Sequence, residues 1–313
     1  MLQALTWAPC QPVGETGPVT SLTSPAPAAG RFAAAGPAVT ARRSRAGGDR
    51  LLLTADGVPI VAWHDPASVP SERADRPLAF VVVHGFTVDA RRPGVRAVVA
   101  GLRPHGGVVS FDLRGHGLSG GVSTVGDREV EDVAAAVGWA RALGYRRVVT
   151  VGFSLGAAVA VRHAALFRGP DSAGPVDAVV SVSAPSRWHY RRTAPMRLVH
   201  LGIETPVGRA VLARWFGTRV AAAGWCPAPE PPDALAGRIA PVPLLVVHGD
   251  ADRYFPLDHA RWLARAAGPT VDSWEVAGFG HAEASAGADL VGRIGGWAQA
   301  ATAEGATSAR MPA

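Results

Sequence analysis

The chain has 313 residues, enough for one large domain or two small ones. Its 48% apolar and 18% charged content suits a well-buried core and argues against a chain disordered throughout. The formal charge is +6 and every basic side chain is arginine, but the arginines are scattered, so no nucleic-acid-binding stripe is indicated.

Residues 1–48 are rich in Ala, Pro, Gly, Ser and Thr, as in Ser24-Pro25-Ala26-Pro27-Ala28-Ala29-Gly30. Such a stretch buries too little apolar surface to offset its ordering, and it reads as a disordered low-complexity tail. A folded domain is expected over 49–313. Leu51-Leu52-Leu53 and Ile60-Val61-Ala62-Trp63 flank Asp56-Gly57, which reads as a hairpin. Leu78 to Val83 is a short, β-branched, unalternating run, the pattern of a strand covered on both faces. Gly107 to Phe111 is another.

Glu129 to Leu143 reads as a helix with Val130, Val133, Val137 and Ala140 on one face. Acidic residues open it, and Gly144 follows as a stop. Val148 to Val151 is the next strand, followed by a helix-compatible run from Ala157 to Phe167. Val176 to Val182 and Val242 to Val247 read as buried strands. Leu257 to Ala267 reads as a helix closed by Gly268, Val271 to Val276 as a strand, and Leu290 to Ala300 as the last helix. Strands alternating with helices imply an α/β fold, a mostly parallel twisted sheet with helices on both faces. The exception is 186–240, an insertion with its own helical pattern, in which Val207, Ala210, Val211 and Trp215 share a face. It reads as a short helical lid over the C-terminal edge of the sheet, where ligands of such folds bind.

Gly152-Phe153-Ser154-Leu155-Gly156 is the most informative stretch. A strand that turns sharply into a helix at a serine forces that side chain into the open. Small residues two positions to either side let the backbones pass closely. A serine hydroxyl is a weak nucleophile at neutral pH and needs a base, which itself needs an orienting group. His281 follows the last strand in Gly278-Phe279-Gly280-His281, where a loop can reach the carboxyl edge of the sheet. Asp250 and Asp252 follow the preceding strand, and both are candidates for the orienting acid.

The order serine, aspartate, histidine, together with the glycine-flanked turn and the strand pattern, resembles the α/β-hydrolase family over residues 50–300. His84-Gly85-Phe86 looks like its oxyanion-hole turn, and Asp112-Leu113-Arg114-Gly115-His116-Gly117-Leu118-Ser119 like its D-x-R-G-H-G-x-S loop. His248-Gly249-x-x-Asp252-x-x-x-Pro256 matches its acid segment, which favours Asp252 over Asp250. The resemblance implies Ser154 as nucleophile, His281 as base and Asp252 as its partner, with the backbone N–H groups of Phe86 and Leu155 as the oxyanion hole. The loop and the short lid resemble the esterase and monoacylglycerol-lipase side of the family. The implied activity is hydrolysis of a small acyl or monoacylglycerol-like ester. Thioesters, amides, C–C bonds or perhydrolysis with the same triad, and a non-catalytic ligand-binding protein on this fold, are the alternatives.

No His/Cys/Asp/Glu spacing suggests a metal, and no G-x-G-x-x-G follows a strand, so no cofactor is expected. The expected partner is a small-molecule acyl substrate, with no nucleic acid; the oligomeric state is left open. Two cysteines, Cys10 and Cys226, provide no disulfide framework. No run approaches the ~18 uninterrupted apolar residues of a membrane span, and the N-terminus lacks the pattern of a secretory signal. A cytoplasmic protein without stable membrane insertion is therefore expected. Trp188, Tyr190, Met196, Trp215, Phe216 and Trp225 either line an acyl site or glue the insertion to the sheet. Arg187, Arg191 and Arg192 either meet an acidic substrate group or form a solvated face.

Overall fold

The computed structural model describes residues 42–43, 49–69, 77–169, 174–269 and 271–308. Most of the expected tail, 1–48, lies outside them. Arg42–Arg43 is the exception: it forms a short strand, β1, antiparallel to β2 (Asp49–Leu53). The sheet thus reaches into the segment read as tail, because the open edge of β2 offers unpaired N–H and C=O groups to any neighbouring chain.

β2 and β3 (Pro59–Asp65) form the expected hairpin. β4 (Leu78–Val83), β5 (Gly107–Phe111), β6 (Arg147–Phe153), β7 (Ala178–Val182), β8 (Leu244–Gly249) and β9 (Val271–Val276) are all parallel to one another. The strand order is β1-β2-β3-β5-β4-β6-β7-β8-β9. β4 shows why its sequence does not alternate. Ala79, Val81 and Val83 face α2 (Glu129–Ala142) and α3 (Leu155–Leu166) in one core. Leu78, Phe80 and Val82 face α1 (Pro93–Leu102) and α9 (Ala288–Ser308) in the other. Both faces are covered, so every position is apolar.

α1 carries Val95, Val98, Val99 and Leu102 on its buried face behind a proline in its first turn. The acidic first turn of α2 serves more than the helix dipole. Glu129 accepts hydrogen bonds from Ser123 Oγ, Thr124 and Gly126 N–H, and Asp132 accepts from Arg114.

The insertion carries α4 (Ala194–Glu204), α5 (Pro206–Phe216) and the short α6 (Pro232–Leu235). Its attachment runs through Ile203, Leu212 and Val220, which pack with Phe86 and Val125. The face shared by Val207, Ala210, Val211 and Trp215 points to solvent. Cys226 is disulfide-bonded, where the cysteine count had led to no disulfide framework; its partner lies outside the described residues. α7 (Asp258–Ala267) and the single turn α8 (Ala282–Ser285) complete the elements. Among the described residues no helix is long and apolar enough to cross a membrane.

His163 lies on the buried face of α3, stacked on Phe167 at 4.8 Å, with neither ring nitrogen hydrogen-bonded among the described residues. Burial drives its pKa down to about 3. The unfolded chain takes up this proton near the ordinary value of about 6.5, so stability falls as pH drops from there toward 3. Between pH 7 and 4.5 this one group removes about 2 kcal/mol. His163→Leu should lose about 2 kcal/mol less over that interval than the parent, measured by urea unfolding at the two pH values. Equal losses would show that His163 does not carry the acid sensitivity.

Candidate active site

Ser154 stands between β6 and α3 with φ 52° and ψ −118°, outside both the strand and helix regions. A non-glycine residue held there costs of the order of 1–3 kcal/mol, so its surroundings must impose it. Its N–H donates to Val182 O at 2.9 Å, which ties the turn to β7. A Cβ on Gly152 would lie 2.6 Å from Ala157 Cα, and one on Gly156 would run into the carbonyl of Val83. Only glycine permits both passages.

Ser154 Oγ lies 3.0 Å from His281 Nε2, and His281 Nδ1 lies 2.7 Å from Asp252 Oδ2. The three candidates named from the sequence are thus joined by hydrogen bonds. The Asp252 side chain is fully buried, and its Oδ1 accepts the N–H groups of Tyr254 at 2.8 Å and Phe255 at 3.1 Å. Burial pushes its pKa up, but the hydrogen bond and charge of His281 and these backbone donors outweigh that, and the carboxyl ends below its ordinary value. His248 closes β8 and donates from Nε2 to Phe255 O at 2.9 Å, with the same nitrogen 3.4 Å from Asp252 Oδ2.

Asp250, the alternative acid, makes no bond to His281 among the described residues. Its Oδ1 accepts Gly278 N–H at 2.7 Å and so fastens the turn ahead of His281. On the far side of His281, Ala282 N–H donates to Ser183 Oγ at 3.2 Å. The ring of Tyr254 stacks on the imidazole with centroids 4.4 Å apart. Neither Ser183 nor Tyr254 carries a signal in the sequence pattern; both follow strands, and only the fold brings them to His281.

The two expected oxyanion donors, Leu155 and Phe86, line the same cavity as the serine. Leu155 opens α3, where the first N–H groups have no acceptor within the helix. Phe86 follows β4, its ring edge-on to His116 at 5.7 Å. Gly85 N–H donates to Glu283 Oε1 at 3.3 Å, and Leu113 N–H donates to His84 Nε2 at 3.0 Å. That leaves His84 Nδ1 as the donor to Gly85 O at 2.8 Å. The Asp112–Ser119 loop is a scaffold. Asp112 accepts Ala90 and Leu118 N–H groups, and Ser119 Oγ donates to Asp112 O. Arg114 bridges Asp132 and Asp56; burial opposes its charge, but the two carboxylates prevail and raise its pKa.

A cavity of about 440 Å³ opens above Ser154 and His281. Trp188, Tyr190, Met196 and Trp225 line it, so these insertion residues face the site, whereas Trp215 and Phe216 do not and are 73% and 48% exposed. Arg187 lines the cavity too but is paired with Asp233 and lies over the Trp262 ring, and Arg191 is paired with Glu204. Among the described residues no cluster of three or more His, Cys, Asp or Glu is placed to hold a metal.

The sequence pattern of the alpha/beta hydrolase family matches residues 80–290, and the chain belongs to that family. Among solved structures it is similar to the Pyrococcus furiosus esterase Pf2001, at 20% identity and a TM-score of 0.58, over 82% of this chain and 91% of that one. It is also similar to an alpha-beta serine hydrolase homologue from Coxiella burnetii, at 16% identity and a TM-score of 0.52, over 83% and 99%. XC6422 from Xanthomonas campestris, described as an a/b serine hydrolase without lid, matches at 18% identity and a TM-score of 0.52, over 84% and 97%. No curated protein sequence matches the chain.

The geometry separates the two aspartates. Labelling of Ser154 by a fluorophosphonate should slow by roughly 10³–10⁴ in Asp252→Asn, which misorients the imidazole. In Asp250→Asn the amide oxygen still accepts from Gly278, and the rate should stay within about threefold. Rates measured by quenched gel fluorescence would exclude the assignment if the order were reversed.

Proposed function

We propose that this chain is a serine hydrolase that cleaves carboxylic esters through an acyl-enzyme. The observation that carries the proposal is the unbroken hydrogen-bonded chain from Ser154 Oγ through His281 to Asp252, opening into an apolar cavity. His281 Nε2 takes the hydroxyl proton as Oγ attacks the ester carbonyl. Asp252 holds the imidazole with Nδ1–H pointing at Oδ2 and stabilises the imidazolium that forms. The N–H groups of Leu155 and Phe86 receive the negative charge that develops on the carbonyl oxygen. His281 then returns the proton to the leaving alcohol, and water repeats the sequence on the acyl-enzyme.

Residues 186–240 act as a lid in this reading, with Trp188, Tyr190, Met196 and Trp225 as the apolar wall against an acyl chain. That wall, and the esterase to which the fold is similar, support a carboxylic ester with an apolar acyl group, such as a small or monoacylglycerol-like ester. A non-catalytic ligand-binding protein would have no use for the connected triad.

Ser154→Ala should lower p-nitrophenyl butyrate hydrolysis by at least about 10³-fold while the melting temperature stays unchanged. Hydrolysis by the folded variant at the parental rate would reject the mechanism.

A further inference from the structure

The outer surface of the insertion is unlike the rest of the molecule. Leu198 and Leu201 on α4 are 69% and 57% exposed, and Val207 and Trp215 on α5 are 75% and 73% exposed. Val211, one helical turn from both Val207 and Trp215, extends the same apolar face. These side chains are not leftovers of a loosely packed pair. α4 turns Met196, Val199 and Ile203 inward to the cavity, and α5 turns Leu212 into the core. Each helix therefore has two apolar faces, one spent on the fold and one without a partner among the described residues. Large contiguous patches of this kind on a soluble domain mark a place where something docks.

The charges around the face say what that is. Between Arg191 and Arg219 the sequence holds six arginines, Arg191, Arg192, Arg197, Arg209, Arg214 and Arg219, against one acid, Glu204. The Glu204 side chain is only 7% exposed and is taken up by Arg191 and His200. Arg197 is exposed one helical turn from Leu201 and donates to a backbone carbonyl, that of Arg192. Arg214 is exposed and lies over the Trp215 ring at 5.3 Å. Among the described residues of 191–219 the face is therefore apolar and cationic, with no free carboxylate.

We infer that the outer face of α4 and α5 is a docking surface for an anionic lipid layer, lying in the interface rather than crossing it. Apolar side chains enter the acyl boundary while arginines meet anionic headgroups, the arrangement that holds amphipathic surface helices on membranes. A second copy of the chain fits less well. A twofold contact brings the face against a copy of itself, so Arg197 and Arg214 would be buried opposite a surface whose one carboxylate over 191–219, Glu204, is already paired. Docking this face would set the roof of the cavity directly on the lipid. The inference does not depend on the triad, since binding is read without turnover.

The test is flotation of the full chain with extruded vesicles of POPC or of equimolar POPC and POPG. Binding to the POPG vesicles should exceed binding to POPC by about tenfold or more and should weaken as salt is raised. Val207→Asp with Trp215→Ser should lower binding to POPG vesicles at least about tenfold, and Arg197→Gln with Arg214→Gln should abolish the preference for POPG. Melting temperatures equal to the parent's establish that each variant is folded. No flotation with POPG vesicles, or flotation unchanged in the folded double variants, would overturn the inference. So would a dimer in sedimentation velocity that the Val207→Asp, Trp215→Ser variant dissolves, which would assign the face to a second copy.

Discussion

The close passage of α3 against β4 and β6 is the constraint on which the rest of the site depends. Gly156 sits where any side chain would strike the carbonyl of Val83, and Gly152 sits against the main chain of the following helix. Without those two hydrogens in place of side chains, α3 would stand off from the sheet and the turn would relax. Ser154 would then lose the unusual backbone angles that aim its hydroxyl away from both elements. The energy held in that turn is small against the two apolar cores that clamp it from either face of the sheet. The strain is local, whereas the packing that imposes it is spread over the domain.

The polar loops around the serine follow a second rule. Arg114, Asp112, His84 and Asp252 are each committed to partners that fix a loop. Arg114 gathers Asp132 of α2 and Asp56 of the β2–β3 hairpin, so three distant segments meet at one guanidinium. A buried ion pair of this sort adds little net stability, because desolvation offsets most of the attraction, but losing one partner would strand the others. Its effect here is geometric. The Asp112–Ser119 loop that it anchors presents Leu113 N–H to His84 and His116 to Phe86, and so braces the turn carrying one of the two proposed oxyanion donors.

Much of this was legible in the order of residues. The parallel strands could be read because burial on both faces removes alternation, and the serine turn because glycine spacing reports a steric demand. Asp252, rather than Asp250, was distinguishable only through a family resemblance; spacing leaves two carboxylates two residues apart equivalent. The structure separates them by giving Asp250 to a backbone N–H. α1 was missed although Val95, Val98, Val99 and Leu102 repeat at helical spacing. The insertion was the least readable part. The apolar face of α5 was visible as a pattern, but a pattern does not say which way a helix is turned. Here the residues that hold α5 down are fewer than those it leaves outside. Glu283 was also passed over, since a single acid two positions after a histidine has no periodic signature. Its contact to Gly85 N–H appears only once the two loops are brought together.

His281 sits between two anchors, Gly278 fastened to Asp250 on one side and Ala282 fastened to Ser183 on the other. A segment gripped at both ends within five residues has almost no freedom left to lose when a ligand arrives. The imidazole is thus held in place by the fold itself, through bonds that involve no ligand.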